Sequence, residues 1–277
     1  MLTSYGKLSI AILIYFILGL PVAIWVCKKQ GFGRHAGWFY LLSFALVRIN
    51  GSSLRLAADN NPSTGLYVAA LVFSALGLIP LLLCLNGIVK RINDGLQSGH
   101  MPPRLFQFIH IAIVAGTALG IAAASMASST DVGMQQTVTS LRKASAIILL
   151  ITAVLNIGMA LVFVAQLHRV YVTDKKLTLC AAISTPFLLI RVFYLVFTAF
   201  HINNKFSATA PDIYVESFMQ TLMEFFLFAI YCAAGLLAPP IQAGDHEHGK
   251  GAQFLKGRYE MRDGHKQQQT GVVRDNV

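Results

Sequence analysis

The sequence predicts an all-α membrane protein, a multi-pass bundle of seven transmembrane helices. Of its 277 residues 55% are hydrophobic, and the mean hydropathy is +0.61. Only 12% are charged, against about 25% in soluble domains, which leaves too little polar surface to cover a globule in water. The apolar residues also fall into segments near the roughly 20 residues that cross about 30 Å of hydrocarbon at about 1.5 Å per residue.

The segments lie at about 8–27, 36–57, 65–89, 107–127, 143–167, 178–201 and 213–238. The first runs straight into Cys27, Lys28 and Lys29 without a small-residue cleavage pattern, so it reads as a retained signal-anchor helix. The second carries Arg48, Arg55 and Asp59. The third and sixth contain Pro80 and Pro186, each expected to kink its helix and free carbonyls. Pro239 and Pro240 end the seventh. Residues 1–240 are thus the bundle, and 241–277, polar with a Gln267–Gln269 run, are expected to be a disordered cytosolic tail.

Lys and Arg in the connections set the orientation. The first, third and fifth loops hold Lys28, Lys29, Arg34, Lys90, Arg91, Arg104, Arg169, Lys175 and Lys176. The N-terminus and the other loops hold Lys7, Arg142, Lys143 and Lys205. Nine against four places the N-terminus outside or in the lumen and the C-terminus in the cytosol. The net charge of +10 is therefore mostly topology, and the tail, with six basic and five acidic residues, is neither a lipid clamp nor a nucleic-acid arm. Cys27, Cys84, Cys180 and Cys232 fall at cytosolic ends of spans, where no disulfide is expected. The Asn50-Gly51-Ser52 sequon lies inside the second span, and Asn61 is disqualified by Pro62.

A charge at the bilayer centre costs roughly 2.5–3.5 kcal/mol even on lenient scales. Arg191 and Glu224 sit in the middle of the sixth and seventh segments, each roughly 15 Å from the outer end, so antiparallel neighbours would bring them level. Polar stripes accompany them: Arg48, Ser52, Arg55 and Asp59 on the second span; Ser184, Arg191, Tyr194, Thr198 and His201 on the sixth; Glu216, Gln220, Glu224 and Tyr231 on the seventh. Polar side chains in lipid turn inward, so these stripes describe a cavity between the second, sixth and seventh helices in the outer half. The inner half is comparatively featureless apart from Cys84 and Asn86.

Each candidate has a structural and a functional reading. Arg191 with Glu224 is a register-fixing ion pair or a site for binding or chemistry, with Glu224 the deepest of the twelve carboxylates. Arg48 orients a ligand's polar group or is a second partner of Glu224. Arg55 and Asp59, four residues apart, are expected to pair at the mouth, and Glu216, one turn in, to be wet. Asp94 marks a helix stop. His246 and His248 around Glu247 lack zinc-site spacing, and no metal or cofactor is assigned. The seventh span has no lysine for a retinal Schiff base, and histidine boxes, phosphate loops and repeated broken helices are all missing.

At 31–57, GFGRHAGWFYLLSFALVRINGSSLRLA, and at 189–197, LIRVFYLVF, the chain resembles a large group of fungal seven-span membrane proteins. The members with a known role that it resembles are the membrane terpene cyclases of the ascochlorin and ascofuranone meroterpenoid type. The resemblance implies a redox-neutral cyclase of fungal secondary metabolism that opens an epoxide on the prenyl chain of a farnesylated phenol. It also implies a hydrophobic small-molecule substrate, no nucleic acid, no obligate protein partner, and residence in the endoplasmic reticulum membrane, where prenylated intermediates partition. Its chemistry suits Glu224, Arg191 and Tyr194 as catalytic residues and Arg48, Gln220, Glu216, Arg55 and Asp59 as substrate-binding ones. An acid in an apolar cavity can open an epoxide, and Phe193, Phe197, Phe225 and Phe226 could shield a cation, at roughly 0.5–2 kcal/mol each. Arg191 beside Glu224 favours the carboxylate and so a base. The alternative reading is a receptor-like or sensor protein, against which stand the missing lumenal cysteine pair and an outer N-terminus of only about seven residues; a small-solute transporter is a third.

Overall fold

The computed structural model describes residues 3–31, 37–61, 63–94, 101–127, 132–165, 175–200 and 212–238. Of these, 94% are helical and none is in a strand, so the chain is an all-α, multi-pass membrane helix bundle. The helices are α1 (Ser4–Gln30), α2 (Trp38–Asn60), α3 (Thr64–Leu76), α4 (Leu78–Asp94), α5 (Pro103–Ser125), α6 (Val132–Ala165), α7 (Lys175–Phe200), α8 (Ile213–Val215) and α9 (Met223–Leu237), with a π-helical stretch, Glu216–Leu222, between the last two. Six spans are long and apolar enough to cross a membrane. The remaining long helix, α2, has 23 residues but carries Arg48, Arg55 and Asp59. The large side chains on the outside, among them Leu18, Trp25, Phe108 and Ile151, are apolar, as lipid requires.

Capping follows the local sequence. Thr3 caps α1, its Oγ1 accepting from Gly6 N at 3.1 Å, and Asp212 caps α8 by accepting from Tyr214 N at 3.0 Å. Pro103 opens α5, where its missing N–H costs nothing. Consecutive helices pack side by side, and α1 closes the ring against α9. At that seam Gln30 Nε2 donates to the carbonyls of Gly235 and Ala238, both at 2.8 Å, Lys29 Nζ donates to Leu236 O, and Arg91 Nη1 donates to Gln30 Oε1 at 2.8 Å. Side chains of α1 thus satisfy carbonyls that the end of α9 leaves without helical partners.

The third span decides the interior. Pro80 has no N–H for the carbonyl four residues earlier, and its ring crowds that carbonyl. The helix breaks at Gly77, between α3 and α4. After the break, α4 packs against α2, α5, α6, α7 and α9, and 13 of its 17 residues are buried. Before it, α3 packs mainly on α2 and α5 and has no buried residue among those described. The half of the bundle that α4 occupies is filled by Leu81, Leu82, Leu85, Ile88, Trp38, Phe44 and Tyr231. There Gly37, at φ 77°, lets the start of α2 approach α4 so closely that a Cβ would lie 3.0 Å from Cys84 O. Pro186 and Pro21, by contrast, sit inside single continuous helices.

Helix α6 begins at Val132, so the expected fourth connection is corrected: Arg142 and Lys143 are helical residues. The turns before residue 143 carry Gln135, Gln136 and Thr139, whose polarity disguises helix as loop. Asp94 is the last residue of α4. The four cysteines are free. Expectations for His201, Lys205, the proline pair and 241–277, including His246 and His248, lie outside the described residues.

Candidate functional site

A cavity of about 500 Å³ occupies the half of the bundle that α4 leaves empty. Tyr5, Ser9 and Ile12 of α1 line it, as do the α2 stripe, Tyr67 and Ser74 of α3, and Thr117 and Gly120 of α5. Arg142 and Ser145 of α6, Arg191, Tyr194 and Thr198 of α7, and Glu216 and Gln220 of the π-helical stretch complete the polar wall. Ile79, at the start of α4, is that helix's single contribution. The expected cavity between the second, sixth and seventh spans is therefore wider, because α1, α3, α5 and α6 also reach it.

Glu224 joins three helices. Its Oε1 accepts from Arg191 Nε at 2.7 Å, and its Oε2 pairs with Arg48 Nη2. Carboxylate and guanidinium groups are all buried, with Glu224 only 1% exposed. Both arginines face the cavity and Glu224 does not. Glu224 lies behind the arginines and fixes their positions, the ion-pair reading of the sequence with Arg48 as its second partner. Arg48 also packs its guanidinium on Gly77, where a Cβ would lie 3.1 Å from Cζ and Nε. The missing side chain of Gly77 thus makes room for the arginine. The guanidinium lies 6.0 Å from the Phe44 ring centroid, and that of Arg191 lies 5.7 Å from the Tyr194 ring.

A second pair lies above the first. Arg55 grips Glu216 with both terminal nitrogens, Nη2 to Oε2 at 3.0 Å and Nη1 to Oε1, the bidentate geometry that makes such pairs specific. The Arg55 guanidinium also lies 4.8 Å from the Tyr5 ring. Asp59 instead accepts from Thr3 Oγ1, at 2.7 and 2.9 Å. The expected Arg55–Asp59 pair is thereby overturned: a carboxylate on a neighbouring helix offers Arg55 both oxygens. Glu216 is buried, not wet, so Glu224 is not alone among the carboxylates inside the bundle.

Ser52 lines the cavity but turns its hydroxyl back to Arg48 O at 2.7 Å. Gln220 donates to Ser74 Oγ at 3.3 Å. Ser184 bonds Ala181 O at 2.7 Å, and neither it nor Tyr231 faces the cavity. The phenylalanines expected to shield a cation do not line it either; Phe193 and Phe226 are 45% and 44% exposed on the lipid side. Tyr194 is the aromatic group of that set that does.

A family model described as a domain of unknown function, DUF7702, matches residues 2–240. The chain belongs to the DUF7702 family. No curated protein matches it.

Within the DUF7702 domain, two features of the site carried no sequence signal. One is Arg142, part-buried on α6 and, among the described residues, without an ion pair or hydrogen bond; its polar neighbours had placed it in a loop. The other is the π-helical stretch. Helices of this kind are rare and cluster at functional sites, and this one carries both Glu216 and Gln220 into the cavity and ends at Leu222, two residues before Glu224.

Proposed function

We propose that the chain is a membrane-embedded enzyme that takes an amphipathic small molecule into the cavity and isomerises it. The observation that carries this reading is the cavity itself: about 500 Å³, within the range of roughly 300–1,000 Å³ for small-molecule sites, with fixed polar groups in an otherwise apolar enclosure. The resemblance to membrane terpene cyclases gives the more specific activity, ring closure on a farnesylated phenol carrying an epoxide in fungal meroterpenoid biosynthesis.

In this reaction Tyr194 donates its phenolic proton to the epoxide oxygen as the C–O bond breaks. The prenyl double bond attacks the carbon centre, and the proton released as the ring-closed cation collapses returns to the tyrosine oxygen. The product is an isomer of the substrate. Arg191, beside the ring, stabilises the transient phenolate electrostatically in a site shielded from water. Glu224 is a positioning residue for Arg48 and Arg191; Arg55, Glu216, Gln220 and Asp59 contact the substrate from the rest of the polar wall. The N-terminal end, where the cavity lies, faces the lumen of the endoplasmic reticulum under the loop-charge rule.

The test is conversion of a farnesylated phenol epoxide by microsomes containing the full chain, read as a product of unchanged mass and new retention. Tyr194→Phe, normally inserted, is expected to lose about 100-fold or more, the usual worth of a general acid. Full turnover by that variant removes Tyr194 from the mechanism, and no turnover by the unaltered chain removes the cyclase. A second reading, a ligand-binding receptor or sensor without chemistry, is favoured by one observation: both buried carboxylates, Glu216 and Glu224, are held in arginine pairs.

A further inference from the structure

Among the described residues, the charges around the cavity do not cancel. Glu224 carries one negative charge between two arginines, so the Arg48–Glu224–Arg191 triad keeps one positive charge. Glu216 is already matched by Arg55, and Asp59 lies at the mouth on Thr3. Arg48, in the cavity wall, is 6% exposed, and its Nε has no hydrogen-bond partner among the described residues. Arg142, also in the cavity wall, adds a guanidinium with no partner among the described residues. An uncompensated charge inside a bundle is costly, and the usual remedy is a counter-charge within hydrogen-bond reach.

We infer that the cavity binds its ligand through one singly charged oxyanion, a carboxylate or an ionised phenol on the ligand's head, seated against the cavity faces of Arg48 and Arg191. The excess of one charge at the triad matches a monoanion. The planar guanidinium groups suit a planar carboxylate or phenolate. Glu224, behind them, keeps both from swinging away. Arg142, elsewhere in the wall, adds a further positive charge that favours an anion. The apolar remainder of the wall, Ile12, Leu71, Ile121, Leu149 and Leu195, takes the ligand's tail. This rests on the reading of the cavity as a small-molecule site, and not on the cyclase chemistry.

The experiment is equilibrium binding to the full chain in lipid nanodiscs, with three probes sharing one tail: farnesylthiosalicylic acid, its methyl ester and farnesyl phosphate. A farnesylated phenol, followed by phenolate absorbance, tests the second oxyanion. The acid, or the phenol in its ionised form, is expected to bind at least 10-fold more tightly than the ester. Arg48→Gln, which leaves a neutral Arg191–Glu224 pair, is expected to abolish that preference, and Arg142→Gln to reduce it a few-fold. Equal binding of acid and ester together with no ionisation of the phenol overturns the inference, as does tightest binding of the dianionic phosphate or an undiminished preference in Arg48→Gln. The acid–ester comparison needs no variant, so it stands even if a substitution prevents folding. Anion preference without epoxide turnover supports this inference and removes the cyclase; turnover of a neutral epoxide without anion preference overturns this inference alone.

Discussion

The two halves of the bundle are built from the same spans and differ in what occupies the centre. In one, α4 runs through the middle and Leu81, Leu82, Leu85 and Ile88 pack at full burial. In the other, α3 stands aside and the space it vacates is walled by paired charges. The break at Gly77 is the boundary, and the same residue gives Arg48 its seat. A single helix interruption therefore separates a packed core from a cavity with charged groups in its wall, where Arg48, Arg55 and Arg191 are each placed by a carboxylate partner. Arginines on two helices around one carboxylate supply that placement.

The largest effect that would break the contrast is at its ionic centre. Glu224→Gln leaves Arg48 and Arg191 buried side by side without a counter-charge, and loss of one partner from a buried pair costs about 3–5 kcal/mol. The full chain in detergent is expected to lose roughly 10 °C in Tm, with ligand binding lost as well. In the packed half, Leu85→Ala is expected to cost about 2–5 kcal/mol by opening a cavity while ligand affinity in the surviving folded protein is unchanged. A matching loss of affinity would mean that the halves are coupled.

Gly77→Val sharpens the boundary. Its branched side chain meets the Arg48 guanidinium, and overpacking of this kind costs about 1–3 kcal/mol, read as a lower Tm together with weaker ligand binding. The smallest effect is expected from Arg142→Gln. It removes no pair, so stability should move by no more than about 0.5 kcal/mol, and the change should appear in ligand affinity alone.

Legibility in the sequence followed the same division. Seven spans, the α2 stripe and the Arg191–Glu224 pair were readable because hydropathy and helical spacing are local signals. All four residues of the α2 stripe do line the cavity. The direction in which Glu224 faces was not readable, since a period places a residue on a side of its helix but does not say which neighbour stands in front of it. Glu216 was judged by its distance from the end of the span, whereas its burial depends on Arg55 reaching across from α2. Pro80 announced an interruption; that the span changes from periphery to centre there is a property of the packing of the other helices.

Under the proposed function a ligand resides in the cavity half, and not in the α4 half. The direct measurement is photo-crosslinking of a farnesylated phenol with a diazirine on its prenyl chain to the full chain in nanodiscs, mapped by peptide mass spectrometry. The expected result is labelling of cavity residues on α2, α5, α7 and the π-helical stretch, such as Ser52, Ile121, Thr198 and Gln220, competed by unlabelled ligand. Competed labelling of Leu82 or Leu85, or labelling confined to lipid-facing residues such as Leu18 and Ile151, would contradict it.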